Sequence, residues 1–311
     1  MANTIGKVTE YLKEIIDDVI TKDAKTSALQ ADPAIVRALG RAGTIEIATT
    51  KVSSLGDYGA SGYAAGDVTV SWAPYVLTHD RSIKVLIDRR EENESAGVAN
   101  ASRAAGDLAR QHVIPEVDAT RMAAIAQALN AAGAPAGHLV TEALTGTGKL
   151  SNENILTKIG DGLDKVIDAT GIDEGHTIYI NNSIYNMLRM STEYDKVKEL
   201  TVGSRTLNLA TNDIDGNQIV RMPSERMFGS LSYSATSATA GFTGTKAINY
   251  IISTPKYAQG VIAFDAPKFI PKENNPDYDA DLYAYRIFHD CFVPKEKLGG
   301  FYVSVQTALS S

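Results

Sequence analysis

Four groups of side chains have the types and spacing that chemistry requires. Gly146-Thr147-Gly148-Lys149 offers the glycines and lysine of a phosphate-cradling loop, in which backbone N–H groups and an ammonium hold the anion. Position 143 is alanine where that pattern needs glycine, and Leu150 stands where it needs a hydroxyl. Asp213, Asp215 and Gly216 supply oxygen donors for a calcium loop, but the glycine follows the first aspartate too closely and no glutamate closes the loop. A solvated turn is the plainer reading. Asp277, Asp279 and Asp281 alternate along an extended segment, where they could chelate a hard cation or simply form a polar loop. His289 and Cys291 share one strand face and could pair as base and nucleophile, although a cysteine between apolar neighbours reads more plainly as a small buried side chain.

The remaining candidates do not extend these groups. The five histidines, His79, His112, His138, His176 and His289, show no metal-ligand spacing, and no pair stands at i and i+4. A single cysteine excludes an intramolecular disulfide and any multi-cysteine metal site. Tyr283, Tyr285, Phe288 and Phe292 read as core packing, because a base-stacking platform needs interleaved basic residues and only Arg286 is near. With no coherent acid, base, nucleophile or metal cluster, no catalytic, cofactor or metal residue is assigned, and the chain is expected not to be an enzyme.

The elements around these residues are those of an ordinary globular chain. Its 311 residues, 44% hydrophobic and 22% charged, can bury a large core, and without a clean linker they are expected to form subdomains of one unit. The net charge of -7 disfavours wholesale nucleic-acid binding. No apolar run approaches the ~20 residues of a membrane-spanning helix. The N-terminus lacks the basic-then-apolar order of a secretion signal, so the chain is read as cytoplasmic.

Val8, Leu12, Ile15, Ile16 and Val19 predict an amphipathic helix suited to docking on a partner. Asp32-Pro33 predicts a second short helix through Leu39, stopped by Gly40. Thr44 to Arg90 then forms an arm: Ile45 and Ile47 alternate with polar residues on one strand, and Val68, Val70, Trp72 and Val76 alternate on the other. Between them Ser53 to Gly66 carries four glycines and leaves Leu55, Tyr58 and Tyr63 no core to enter. An isolated two-stranded hairpin is marginally stable in water. The arm is therefore expected to lie on another subunit, with Leu55, Asp57, Tyr58, Tyr63 and Trp72 as contact residues.

A third strand is predicted over Ser82 to Asp88, followed by one Ala-rich helix from Glu92 to Ala132 that Gly133 and Pro135 stop and Pro115 kinks. An α/β region begins at Ser151, with a helix whose Ile155, Ile159, Leu163, Val166 and Ile167 share a face and which ends at Gly171. A strand over His176 to Ile180, a helix over Ser183 to Met190 and a strand over Gln218 to Met222 follow. Phe228 to Lys246 reads as a long surface loop. A strand is predicted over Ile248 to Ile252, a helix or strand near Tyr257 to Phe264, and extended segments over Asp281 to Val293 and Gly300 to Val305.

This order resembles the major capsid proteins of tailed bacteriophages, the Hong Kong 97-type capsid fold. The phrases that carry the likeness are GDYGASGYAAGDVTVSWAPYVLTHDRSIKVLIDRREENE from Gly56, PEVDATRMAAIA from Pro115, and DADLYAYRIFHDCFVPKEKLGGFYV from Asp279. The resemblance covers nearly the whole chain and implies an α+β fold. Its parts would be an N-terminal arm (1–43), an extended E-loop hairpin with flanking strands (44–90), the long spine helix of a peripheral domain (91–136), an α/β axial domain (137–265) and C-terminal strands returning to the peripheral domain (266–311).

The resemblance also implies a function and partners. Copies would assemble as hexamers and pentamers of an icosahedral virion shell, in the bacterial host cytoplasm, enclosing double-stranded DNA without sequence-specific binding and without a membrane. A portal protein, a separate scaffolding protein and optionally a decoration protein would accompany it, with no cofactor. Some members cross-link through an E-loop lysine, but the tip from Ser53 to Gly66 has none, and only Lys51 and Lys84 lie near the arm's base. About 40 residues precede the hairpin, which favours a separate scaffold. An encapsulin-like compartment holding cargo enzyme and a cytoplasmic α/β enzyme are the alternatives.

Overall fold

The computed structural model describes residues 23–32, 36–38, 43–58, 65–88, 101–191, 199–202, 205–208, 213–214, 216–234, 236 and 241–309. The helix expected near Val8 lies outside them. Strand β1 (Val36–Ala38) edges an antiparallel sheet with β2 (Thr44–Val52) and β3 (Val68–Val76). The helix expected after Asp32 is not what the described part of that segment forms: Val36, Arg37 and Ala38 pair with Ile47, Glu46 and Ile45. Pairing with the otherwise open edge of the hairpin outweighs the local capping signal. After Leu77 and Thr78, β4 (His79–Asp88) leaves for a different sheet.

Helix α1 (Ala101–Leu108), a π-helical turn over Ala109–Val113 and helix α2 (Ile114–Asn130) run head to tail. The long helix is thus interrupted by a π-helical turn just before Pro115. Proline has no N–H for the Gln111 carbonyl and its ring crowds that carbonyl, and a wider turn there relieves both problems. Residues 92–100 of the expected helix lie outside the described ones.

The α/β region follows. A short strand β5 (Leu139–Thr141) precedes α3 (Ile155–Thr170), whose start is fixed where Asn154 Oδ1 accepts from the Ser151 N–H at 2.8 Å. Gly171 ends α3 in the left-handed conformation (φ 69), its N–H donating to the Ile167 carbonyl. Strand β6 (Thr177–Asn181) leads into α4 (Asn182–Arg189), capped by the Asn181 side chain. The hairpin β7 (Glu199–Val202) and β8 (Arg205–Asn208) precedes β9 (Asp213–Ile214) and β10 (Asn217–Met222).

Residues 228–246 correct the expectation of a loop. Strand β11 (Phe228–Tyr233) pairs antiparallel with the first half of β12 (Phe242–Ser253), from Phe228 opposite Ala247 to Tyr233 opposite Phe242. Its serines, threonines and glycines are those of a partly exposed strand pair, and the aromatic residues at its ends are half-buried. Strands β13 (Gln259–Ile270), β14 (Ala280–Phe292) and β15 (Phe301–Val305) complete the chain, with β13 running unbroken across 265/266.

Two sheets meet the long helix. The larger runs β5-β15-β12-β6-β10-β9, and its central strands are buried on both faces, as their nearly continuous apolar runs require. One face, with Tyr179, Ile251, Phe301 and Val303, packs on Met122, Ile125, Ala126 and Leu129 of α2. The other, with Ile178, Ile180, Tyr250, Ile252 and Tyr302, packs on α3 and α4. Gly162 lets α3 approach closely, since a Cβ there would stand 2.8 Å from the Tyr302 ring and 2.9 Å from Ile252. The smaller sheet, β13-β14-β4, sets Tyr283, Tyr285 and Ile287 against Leu108, Val113, Ile114 and Val117. The helix therefore bridges both sheets, its two ends belonging to different cores.

Candidate functional site

The hairpin of β2 and β3 has two faces of opposite character. The ladder runs without a break from Thr44 opposite Val76 to Val52 opposite Val68. Ile45 and Ile47 face inward, paired with Tyr75 and Ala73. With Leu77, Ala31 and Val261 they form a small core that Phe288 and Phe292 join, the Tyr75 and Phe292 rings lying 4.8 Å apart. This inner face fastens the arm to its own subunit. Further out, Lys51 Nζ reaches Glu296 Oε1 at 3.4 Å.

The outer face carries the other alternating set: Val52, Val68, Val70, Trp72, Pro74 and Val76. Every one of them is exposed, Val52 at 71% and Leu55, just beyond the paired region, at 102%. Arg37 forms an ion pair with Glu46 and lies 4.7 Å above the Trp72 ring, fixing that indole on the outer face. Ser53 closes the base of the tip by donating its N–H to the Asp67 carbonyl and accepting at its hydroxyl from the Asp67 N–H. Burying one such Val or Leu side chain is worth about 1.5–3 kcal/mol. Contiguous exposed apolar patches are where proteins commonly dock other molecules, whereas scattered single apolar residues carry no such meaning.

Of the residues singled out in the sequence, Leu55, Asp57, Tyr58 and Trp72 are exposed on the arm or its tip. Tyr63 lies outside the described residues. Pro115 is half-buried in the first turn of α2. Val68, Val70 and Val76 share the exposed face of Trp72, as the alternation of β3 requires, and Val52 joins them across the ladder.

The chemical candidates do not assemble into a site. Lys149 and its glycines lie on an exposed turn that ends at the buried Leu150. Asp215 is outside the described residues. Asp281 Oδ1 accepts from the Lys272 N–H, and Asn275 Oδ1 accepts from the Asp277 N–H. Among the described residues no group of three or more His, Cys, Asp or Glu could hold a metal ion. Burial pushes the Cys291 thiol up to about 12, and Arg121 offsets this only in part, so a thiolate is strongly disfavoured. No helix among the described residues is long and apolar enough to cross a membrane.

No protein-family model matches the chain, and no curated protein sequence matches it. Solved structures do. The capsid structure of cyanophage P-SCSP1u superposes with a TM-score of 0.60 at 12% identity, covering 89% of this chain and 86% of that one. The mature capsid of bacteriophage PhiM1 gives 0.57 at 14% identity, covering 85% and 83%. This fold is the Hong Kong 97-type capsid fold. A virus-like particle from Pyrococcus furiosus gives 0.50 at 13% identity, over 96% of this chain and 98% of that one. The likeness to the Hong Kong 97-type fold lies in the arrangement of elements, since identity near one residue in eight carries no site residue across.

Proposed function

We propose that this chain is the major capsid protein of a tailed double-stranded DNA bacteriophage. The observation that carries the reading is the apolar outer stripe of the β2–β3 hairpin, displayed on a Hong Kong 97-type fold. In this reading the hairpin is the E-loop, α1 to α2 the spine helix, and the larger sheet with α3 and α4 the axial domain. The arm lies over a neighbouring subunit, and many such modest contacts around a closed lattice make the shell cooperative. The π-helical turn before Pro115 is the point where the spine adapts to hexamer and pentamer positions. The role is structural rather than enzymatic.

The partners follow from the same reading: further copies of this chain, a portal protein, a separate scaffolding protein and optionally a decoration protein. Assembly takes place in the host cytoplasm and yields the virion capsid. The enclosed DNA is contacted without sequence specificity, consistent with the net charge of -7.

An encapsulin-like compartment is the second reading, favoured by the near-complete coverage of the Pyrococcus furiosus particle. Its TM-score of 0.50 stands below the 0.60 of the cyanophage capsid, which puts the genome-holding shell first. Electron microscopy of the purified chain, expressed alone and with its neighbouring genes, tests both. Closed icosahedral particles that form with a scaffold and portal support the capsid; particles that co-purify a cargo enzyme favour the compartment; a persistent monomer overturns both.

A further inference from the structure

The arm leaves the rest of the subunit through a turn of two residues, Leu77 and Thr78, between β3 and β4. The Leu77 N–H donates to the Gly43 carbonyl, and one carboxylate holds Thr78. Thr78 donates its N–H and its hydroxyl to Asp290 Oδ2, at 3.0 and 2.8 Å, while Asp290 Oδ1 accepts from the Cys291 N–H. The next residue, His79, places Nε2 4.0 Å from Asp290 Oδ1. Its ring is packed 4.4 Å from Tyr233 on β11 and 5.8 Å from His289 on β14.

His289 is 2% exposed, and its Nε2 has no hydrogen-bond partner among the described residues. It points toward Glu116 Oε1 on α2, 3.7 Å away and beyond hydrogen-bond distance. Glu116 Oε1 already accepts from Arg81 Nε at 2.7 Å, and Arg81 also donates to the Ser234 and Gly241 carbonyls. A cavity of about 230 Å³ opens beside these groups, with His112 of the π-helical turn on its wall. Tyr233 completes the enclosure, its hydroxyl bonded to Thr120 of α2. Asp80 stands at the cavity edge but is held by Arg286.

With both histidines neutral, the enclosed charges are Glu116 and Asp290 against Arg81. One proton balances them. A second proton leaves two imidazolium rings at 5.8 Å beside a guanidinium, with a net positive charge and one of the rings on the buried His289. We propose that this cluster is an acid-sensitive lock on the arm, in which Asp290 fixes the Thr78 turn while His79 and His289 are neutral and protonation of both releases it.

The sign agrees with the direction of His79's basicity. Burial holds its pKa below 6.5; His289 and Arg81 add to that, while Asp290 and Glu116 oppose it. An opened junction binds the proton more tightly than a closed one. Closure is therefore fully favoured above 6.5 and is lost progressively as pH falls from 6.5 toward the depressed value.

Hydrogen exchange on the purified full chain tests this, corrected for the intrinsic pH dependence of amide chemistry, at about pH 7.5 and about pH 5.5 on either side of the ordinary histidine range. The expected result is an opening of the Thr78 amide enhanced about tenfold or more in acid, with the α3 amides unchanged. The double variant His79→Gln with His289→Gln should lose that response. A flat wild-type response, or the same response in the double variant, overturns the lock. Should the variant fold poorly, NMR titration of the wild-type histidines decides: a depressed His79 that shifts together with the Thr78 amide supports the lock, and independent titration near 6.5 overturns it. Neither readout needs a closed shell, so a negative result leaves the capsid reading standing.

Discussion

Thr26 donates both its backbone N–H and its hydroxyl to Asp118 Oδ1, at 3.2 and 2.6 Å, joining positions 92 apart in sequence. Asp118 lies fully buried on α2, and its other oxygen accepts from the Lys25 N–H and from Arg226 at 2.9 Å. Arg121, one turn along, donates back to the Thr26 carbonyl and to Gln30. Segment 23–32 is thus strapped onto α2 by hydrogen bonds of its backbone and neutral side chains with two charged side chains of the helix, rather than by apolar contact alone.

Asp118→Ala should destabilise the subunit by about 3–5 kcal/mol, because it strands Arg226 and three donors of the strap around an empty site. Asp118→Asn should cost less, since its carbonyl oxygen still accepts. Urea denaturation, comparing midpoints at unchanged slope, measures both. Equal stability of Asp118→Ala and the wild type would mean that the strap contributes nothing to the fold.

On the arm, the double substitution Val70→Ser with Trp72→Ser should cost the subunit only about 1 kcal/mol, because Val70 faces solvent and Trp72 gives up little beyond its contact with Arg37. The same substitutions should abolish stable particles. Deleting Ser54 to Ala65 should act likewise, giving soluble folded subunits without shells. Calorimetry separates the fold from the assembly, which light scattering reads; normal shells from either variant would remove the arm from the assembly mechanism.

These surfaces differ in how far they were legible. Helix α3 (Ile155–Thr170) was legible because one apolar face and the left-handed stop at Gly171 are local signals. The alternation of β3 announced two unlike faces but not which one turns inward. The more apolar set, Val68, Val70, Trp72 and Val76, is the outer one, because register pairs Tyr75 and Ala73 with the buried Ile45 and Ile47. Asp118, Arg121 and Glu116 were passed over on the long helix, since a charge reads as solvated until a distant segment covers it. Strand β1 and the β11–β12 pair were hidden for the same reason: their partners decide their conformation.

Two glycines of α3 should respond oppositely to the same change. Gly162→Ala drives a methyl into Tyr302 and Ile252, and the overpacking should cost about 1–3 kcal/mol, offset in part by better helix propensity. Gly160 has open space around its Cβ position, so Gly160→Ala should stabilise by about 0.5–1 kcal/mol. Thermal unfolding of the two variants side by side measures the difference, and a stabilised Gly162→Ala would contradict the close approach of α3 to the sheet.

The one cysteine offers a report on the core. Cys291 is buried among the residues between α2 and the larger sheet, and with its thiol pushed up to about 12 from an ordinary 9.0 its thiolate population near neutrality falls by about three orders of magnitude. Alkylation of the native subunit should therefore proceed only through opening of that core. The labelling rate should rise with urea in parallel with unfolding and should be unaffected by deleting the arm tip. Rapid labelling under native conditions, at a rate independent of urea, would mean that the thiol is reached without opening and that the packing of β14 against α2 is looser than the geometry requires.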